Sequence, residues 1–180
     1  MCSSDLSGDS GIYGMAGIVF EVAAQRAPGP DAPEIRVIPG ITAAASAAAL
    51  MGAPLMHDFA AISLSDLMTP LNLIYKRVDA AASADFVICL YNPKSKKRSG
   101  YLTEACRIAG RYRAGDTPCG IASHIGRPAE QWMLTNLNGL PDADVDMFSI
   151  VIIGNSQTRM LDNRMVTPRG YLAKYQPASD

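Results

Sequence analysis

Residues 35–54, IRVIPGITAAASAAALMGAP, pass from a short apolar run through the turn Pro39-Gly40 into a stretch made mostly of alanine. Ile35, Val37 and Ile38 favour a strand, whereas the run from Thr42 through Leu50 favours a helix and lets another backbone come close. A strand running straight into such a helix leaves unpaired N–H groups, from about Thr42 onward, within reach of a ligand. The same residues also read as an ordinary strand–turn–helix unit with Thr42 as its N-cap.

The remainder of the chain repeats that alternation. Ser7 opens SGDSGIYGMAG, where a Gly-Asp-Ser-Gly turn precedes Ile12, Met15, Ile18 and Val19 at helical spacing, predicting an amphipathic helix to about Gln25. A Pro/Gly loop at 27–33 leads to the Ile35 strand. Further strands are predicted at 59–64, 85–91, 118–123, 131–136 and 147–155, with helices over Leu71 to Ala82 and about Ser99 to Arg113. The tail from Ser156 reads as mostly irregular. Strands alternating with helices give an α/β class, and a change of texture near 55–58 suggests two lobes, 1–56 and 57–180.

Composition excludes several partners. The chain of 180 residues is 48% hydrophobic and 18% charged, which describes a globular protein with room for a core. A formal charge of -1 gives no general reason to expect nucleic acid or an anionic membrane. No apolar run reaches the roughly 18 residues of a membrane span. Cys2, Cys89, Cys106 and Cys119 lie far apart without a CxxC pair, so neither zinc nor a disulfide framework is suggested. Cys89 and Cys119 fall in apolar runs and read as buried thiols of a reducing cytoplasm.

Three glycine-bearing turns stand at the ends of apolar runs: Gly8-Asp9, Pro39-Gly40 and Gly154-Asn155. In open α/β sheets ligands collect at the carboxyl ends of strands, so the three turns outline a crevice. There is no GxGxxG and no GxxxxGK[ST], which removes the dinucleotide and P-loop readings. Two histidines, His57 and His124, are too few for a metal cluster, and no metal is expected. Lys94, Lys96, Lys97 and Arg98 read either as a solvated helix entry or as cations at a strand end, suited to a small molecule bearing several carboxylates.

The blocks SGDSGIYGMAG at 7–17, VIPGITAAASAAALMGAPLMHDFAAISLSD at 37–66, CLYNPKSKKR at 89–98, VIIGNSQTR at 151–159 and VTPRGY at 166–171 resemble, in order, the signature blocks of the tetrapyrrole (precorrin) methylases. Within that superfamily GAPL-x-HDF-x-AISLSD, LYNP-x-SK and TPR-x-Y are similar to the precorrin-3B C17-methyltransferase branch, which contracts the ring in cobalamin biosynthesis. The resemblance implies a two-lobed α/β fold, its second lobe a mixed sheet flanked by helices, working as a cytoplasmic homodimer on a tetrapyrrole. It implies S-adenosylmethionine as cofactor, held by Ser7, Gly8, Asp9, Ile12, Thr42, Ala43, Asn92 and Gly126. Close backbone approach at Gly8 and the alanines agrees with that set. On the same footing the cations at 94, 96, 97 and 98 would meet substrate carboxylates, and a hydroxyl proton lost during ring contraction would go to His57, Asp66 or His124, in that order of proximity to family motifs. Alternatives are a methylase acting elsewhere on the corrin or sirohaem macrocycle and a non-catalytic nucleotide-binding fragment.

One departure stands out. The family begins with a further strand, a GxGPGD-type loop and a helical segment before the GD block, whereas this chain opens MCSSDL. The expectation is an N-terminally truncated chain with an incomplete first lobe, exposed apolar edges and poor activity. Full turnover by the purified 180-residue chain would refute it.

Overall fold

The computed structural model describes residues 8–25, 29, 32–94 and 100–174. Ser7, Lys96, Lys97 and Arg98 of the expected site lie outside the described residues. Contacts divide the chain into two compact units, Met1–Ala43 and Ala44–Asp180. The division falls ahead of the texture change at 55–58.

In the first unit, helix α1 (Ala16–Ala24) begins later than the apolar spacing from Ile12 suggests, because Ser10–Met15 are bent round the Asp9 carboxylate. None of its residues is buried. The expected strand at Ile35–Ile38 is absent: residues 32–42 carry no ladder pairing. β-propensity alone does not make a strand, since its N–H and C=O groups need a partner, and no strand in the described part of this unit supplies one.

The second unit takes up almost all of the alanine helix α2 (Ala43–Met51), followed by β1 (Gly52–Ala53), β2 (Phe59–Ser63), α3 (Leu71–Ser83), β3 (Val87–Tyr91), α4 (Tyr101–Ala109), β4 (Pro118–Ser123), β5 (Gln131–Asn136), a 3-10 turn at Leu140–Asp142, β6 (Ser149–Ile153), β7 (Arg159–Leu161), β8 (Arg164–Val166) and α5 (Tyr171–Lys174). The five-stranded sheet runs β2-β3-β6-β4-β5. β2 and β3 are parallel, β6 lies antiparallel between β3 and β4, and β5 closes the far edge antiparallel to β4. The tail is therefore not irregular throughout. β7 and β8 form a hairpin, and β8 also pairs with β1 in a three-stranded sheet.

Alternation along the strands divides the core between two faces. Ile62, Ile88, Leu90, Cys119, Ile121, Val151 and Ile153 pack with Ile74 and Val78 of α3 and Leu102, Cys106 and Ile108 of α4. On the other face lie the buried Val87, Cys89, Ala122, Ile150 and Ile152, and there Met51 of α2 sits against Gly120, where a Cβ would collide with the Met51 sulfur. Because both faces are covered, these strands read as continuous apolar runs. Burial pushes the Cys89, Cys106 and Cys119 thiols up to about 12, so they are packing groups and not nucleophiles. Among the described residues no helix is long and apolar enough to cross a membrane.

Candidate functional site

In the first unit the chemistry converges on Asp9. Its Oδ1 accepts the N–H groups of Gly11 at 2.8 Å and Ile12 at 2.9 Å, while Oδ2 accepts that of Gly40 at 2.9 Å. One carboxylate thus ties the GD turn to the Pro39-Gly40 turn. The N–H of Gly40 foremost, then those of Gly11 and Ile12, hold the Asp9 carboxyl below the usual carboxylate range against a smaller opposing effect of desolvation. The two turns touch so closely that a Cβ on Gly40 would overlap the Gly8 carbonyl oxygen, and Gly8 itself has φ +87°. Gly8, Asp9 and Ile12 are therefore brought together with the turn preceding Thr42 and Ala43, an approach only glycine permits.

In the second unit, strand direction decides what gathers. β4 is antiparallel to β6, and β6 to β3, so β2, β3 and β4 all end on one edge of the sheet. Asp66 follows β2, Asn92 and Lys94 follow β3, and His124 and Gly126 follow β4. At the first two strand ends Asn92 Nδ2 donates to Ser63 Oγ at 3.0 Å, the Ser65 N–H donates to the same oxygen, and the Leu64 N–H donates to the Tyr91 carbonyl. Asn92 and His124 have left-handed backbones, φ 53° and 52°, of the kind that marks functional turns when it falls on a residue other than glycine. The Tyr91 hydroxyl accepts the N–H of Ala44 at 3.2 Å, so one of the α2 donors expected to face a ligand is already engaged.

Asp66 accepts a 2.8 Å hydrogen bond from the Tyr101 hydroxyl at the start of α4. Past β4, His124 Nε2 lies 3.1 Å from Asp146 Oδ2, and its ring is tilted against Phe148 with centroids 5.1 Å apart. The other Asp146 oxygen accepts the Phe148 N–H at 2.9 Å and the Ser149 hydroxyl at 2.7 Å; Ser149 in turn meets Ser123 at 2.6 Å. Partial burial pushes the Asp146 carboxyl up, but the Ser149 hydroxyl, the Phe148 N–H and His124 outweigh it and hold it low. Gly126 has φ +73° with open space around it, and its N–H donates to Glu130 Oε2 at 2.8 Å.

His57 stands elsewhere. It precedes β2, so it lies at the opposite edge, in a shallow pocket lined by Leu55, Met56, His57, Asp58 and Arg169. Its Nδ1 accepts the Asp58 N–H at 2.9 Å. Gly154-Asn155 is at that same far edge, because the strand it ends runs antiparallel to β3; there Asn155 Nδ2 donates to the Asp85 carbonyl and Ser156 to the Asp85 carboxylate. This turn therefore does not share the edge that holds Asn92 and Gly126. Tyr91, Ser63 and Asp146 were not legible as site residues from local sequence. Among the described residues no group of three His, Cys, Asp or Glu side chains could hold a metal ion.

Relatives agree with this architecture. The cobalt-factor III methyltransferase of Priestia megaterium is 48% identical over 94% of this chain and 32% of its own length. A probable cobalt-factor III C(17)-methyltransferase of Salmonella typhimurium is 50% identical over 92% of this chain and 67% of its own. The crystal structure of the methyltransferase CobJ superposes with a TM-score of 0.80 at 36% identity, covering 89% of this chain and 67% of that one. The chain thus spans about a third of the first relative's length and two thirds of the second's. With residues 5–141 matching the family as a whole, the chain belongs to the tetrapyrrole (corrin/porphyrin) methylases.

Proposed function

We propose that this chain carries the methyl-transfer site of an S-adenosylmethionine-dependent enzyme that methylates C17 of precorrin-3B or its cobalt form, with ring contraction, in cobalamin biosynthesis. The reading is carried by one observation. Asn92, Lys94 and Gly126 share one edge of a sheet, in a chain half identical to a relative bearing that name.

When bound, S-adenosylmethionine supplies a methyl group on positively charged sulfur. The first unit fits such a ligand: the Asp9 clamp fixes the turn ahead of Thr42 and Ala43, and the missing Cβ of Gly40 lets two backbones meet. Asn92 is held ready by Ser63, and Gly126 adopts a conformation that admits close backbone approach. Lys94 provides a cation for one of the macrocycle's carboxylates. With the methyl already activated, these residues contribute by alignment. The enzyme is proposed to act in the cytoplasm as a homodimer, which sedimentation equilibrium would test.

Incubating the chain with labelled S-adenosylmethionine and either precorrin-3B or cobalt-factor III tests the activity. The expected product gains one methyl mass and label. Label transfer only to a different tetrapyrrole would reassign the substrate, and failure to bind S-adenosylhomocysteine by calorimetry would remove the methyltransferase reading.

A further inference from the structure

We infer that His124 and Asp146 form a proton-accepting pair, with Asp146 as a positioning residue and His124 Nδ1 as the base. The inference rests on the methyl-transfer reading and adds to it the group that restores charge balance.

The tautomer follows from the donor–acceptor inventory. Asp146 Oδ1 already accepts the Phe148 N–H and the Ser149 hydroxyl, and hydrogen bonds together with His124 keep the carboxylate ionised, so Oδ2 can only accept. His124 Nε2, 3.1 Å away, must therefore donate, which leaves Nδ1 with its lone pair. No described residue bonds to Nδ1. Two contacts hold the ring, the carboxylate and the Phe148 face, and the backbone that carries it has a left-handed φ of 52° and accepts the Arg127 N–H on the His124 carbonyl at 3.0 Å. The His124 side chain is about one quarter exposed, 26%, so part of it faces solvent. Asp146 from the loop before β6 is the charged group against the ring; on the following turn Arg127 lies 5.3 Å from the Phe148 ring centre and Glu130 accepts the Gly126 N–H.

His124 also stands on the edge that holds Asn92 and Gly126, unlike His57, whose Nδ1 is occupied by the Asp58 N–H. The third candidate, Asp66, accepts the Tyr101 hydroxyl at 2.8 Å. Of the three, His124 alone combines a second group fixing its tautomer with an uncommitted nitrogen.

The balance is as follows. The S–CH3 bond breaks with its electron pair staying on sulfur, and a carbon of the neutral, conjugated acceptor supplies the pair for the new C–CH3 bond. The sulfonium's positive charge thereby passes to the macrocycle. Loss of one O–H, N–H or C–H proton conjugated with the reacting carbon discharges it, and that proton goes to His124 Nδ1, giving an imidazolium beside the Asp146 carboxylate. No oxidant or reductant is needed.

Two measurements decide the matter. Long-range 1H–15N spectra of the unliganded chain are expected to show His124 as the Nε2–H tautomer at neutral pH, and as a mixture in Asp146→Asn, whose amide can donate or accept; an Nδ1–H or mixed form in the wild type overturns the inference whatever the enzyme's substrate. In methyl transfer to cobalt-factor III, His124→Gln is expected to lower kcat about 100-fold. Asp146→Asn should lower kcat about tenfold with KM unchanged, and both variants should bind S-adenosylhomocysteine as the wild type does. Wild-type kcat in His124→Gln overturns the pair while leaving the methyltransferase reading intact; a wild type that binds no S-adenosylhomocysteine overturns that reading while the tautomer result stands.

Discussion

Gly40→Ala is expected to abolish measurable binding of S-adenosylhomocysteine, an affinity loss of about 100-fold or more, equivalent to roughly 3 kcal/mol. The added methyl would overlap the Gly8 carbonyl oxygen and press on the Gly8 carbonyl carbon at 3.0 Å and the Asp9 Cα at 3.3 Å. All three are backbone atoms, so no side-chain rotation relieves the contact and the two turns must part. Parting them breaks the 2.9 Å bond from the Gly40 N–H to Asp9 and releases the turn that leads into α2. Calorimetry reads the affinity, and hydrogen exchange at the position-40 amide reads the clamp: slow in the wild type, fast in the variant. The Tm of the second unit should stay within about 2 °C, because Gly40 takes no part in its core. Wild-type affinity in the variant would remove the Gly8–Gly40 approach from the cofactor site.

The second large effect concerns stability. The Arg113 side chain is 3% exposed and donates to the carbonyls of Gly154, Tyr112 and Phe86, while Nη1 lies 2.9 Å from Asp85 Oδ1. Burial lowers the guanidinium's proton affinity and Asp85 opposes that. Arg113→Met fills similar space with no donor, leaving those carbonyls short of partners and Asp85 without its counter-ion. Breaking a buried pair costs about 3–5 kcal/mol, but Asp85 is 42% exposed and rehydrates, so about 3 kcal/mol is expected, a fall in Tm of about 6–12 °C. Partial burial pushes the Asp85 carboxyl up, yet the Ser156 hydroxyl and N–H, with Arg113 and His57, more than offset it and hold it low. A carboxyl lowered on folding adds stability that is full above its unfolded value near 4 and is lost as pH falls through its folded value. That loss below about pH 4 should be shallower in Arg113→Met. A Tm change under 1 °C would contradict the buried role of this arginine.

Local sequence revealed whatever local physics decides. PCGIAS at 118–123 is a strand as expected, because residues buried on both faces leave a continuous apolar run. Ile35–Ile38 is richer in strand formers and is no strand, since pairing depends on a partner that composition does not report. The hairpin of β7 and β8 had a readable signal in Asp162-Asn163, which sit at φ 46° and 59° as a tight hairpin turn requires, but its strands of three residues are too short to show alternation. At the candidate site, Asn92 is suggested by a block that is local in sequence and Gly126 by its place in the loop after β4. The Tyr91 contact to Ala44 spans 47 positions and that of Asp146 to His124 spans 22, so neither pairing leaves a trace in a window of sequence. Which edge Gly154-Asn155 occupies depends on the direction of β6, which only topology reveals.

The position of β6 bears on how the chain is made. It is the last of the five strands in sequence and the middle one in space. During synthesis β2 can pair with β3, and β4 with β5, long before Ser149 leaves the ribosome, giving two half-sheets whose inner edges, along Ile88–Tyr91 and Cys119–Ser123, stay open. Those edges are mostly apolar and are the kind that recruit other chains. A single five-residue insertion closes both at once, so the second unit acquires its cooperativity late and in one step, and it is most aggregation-prone while the chain outside the ribosome ends between residues 137 and 148.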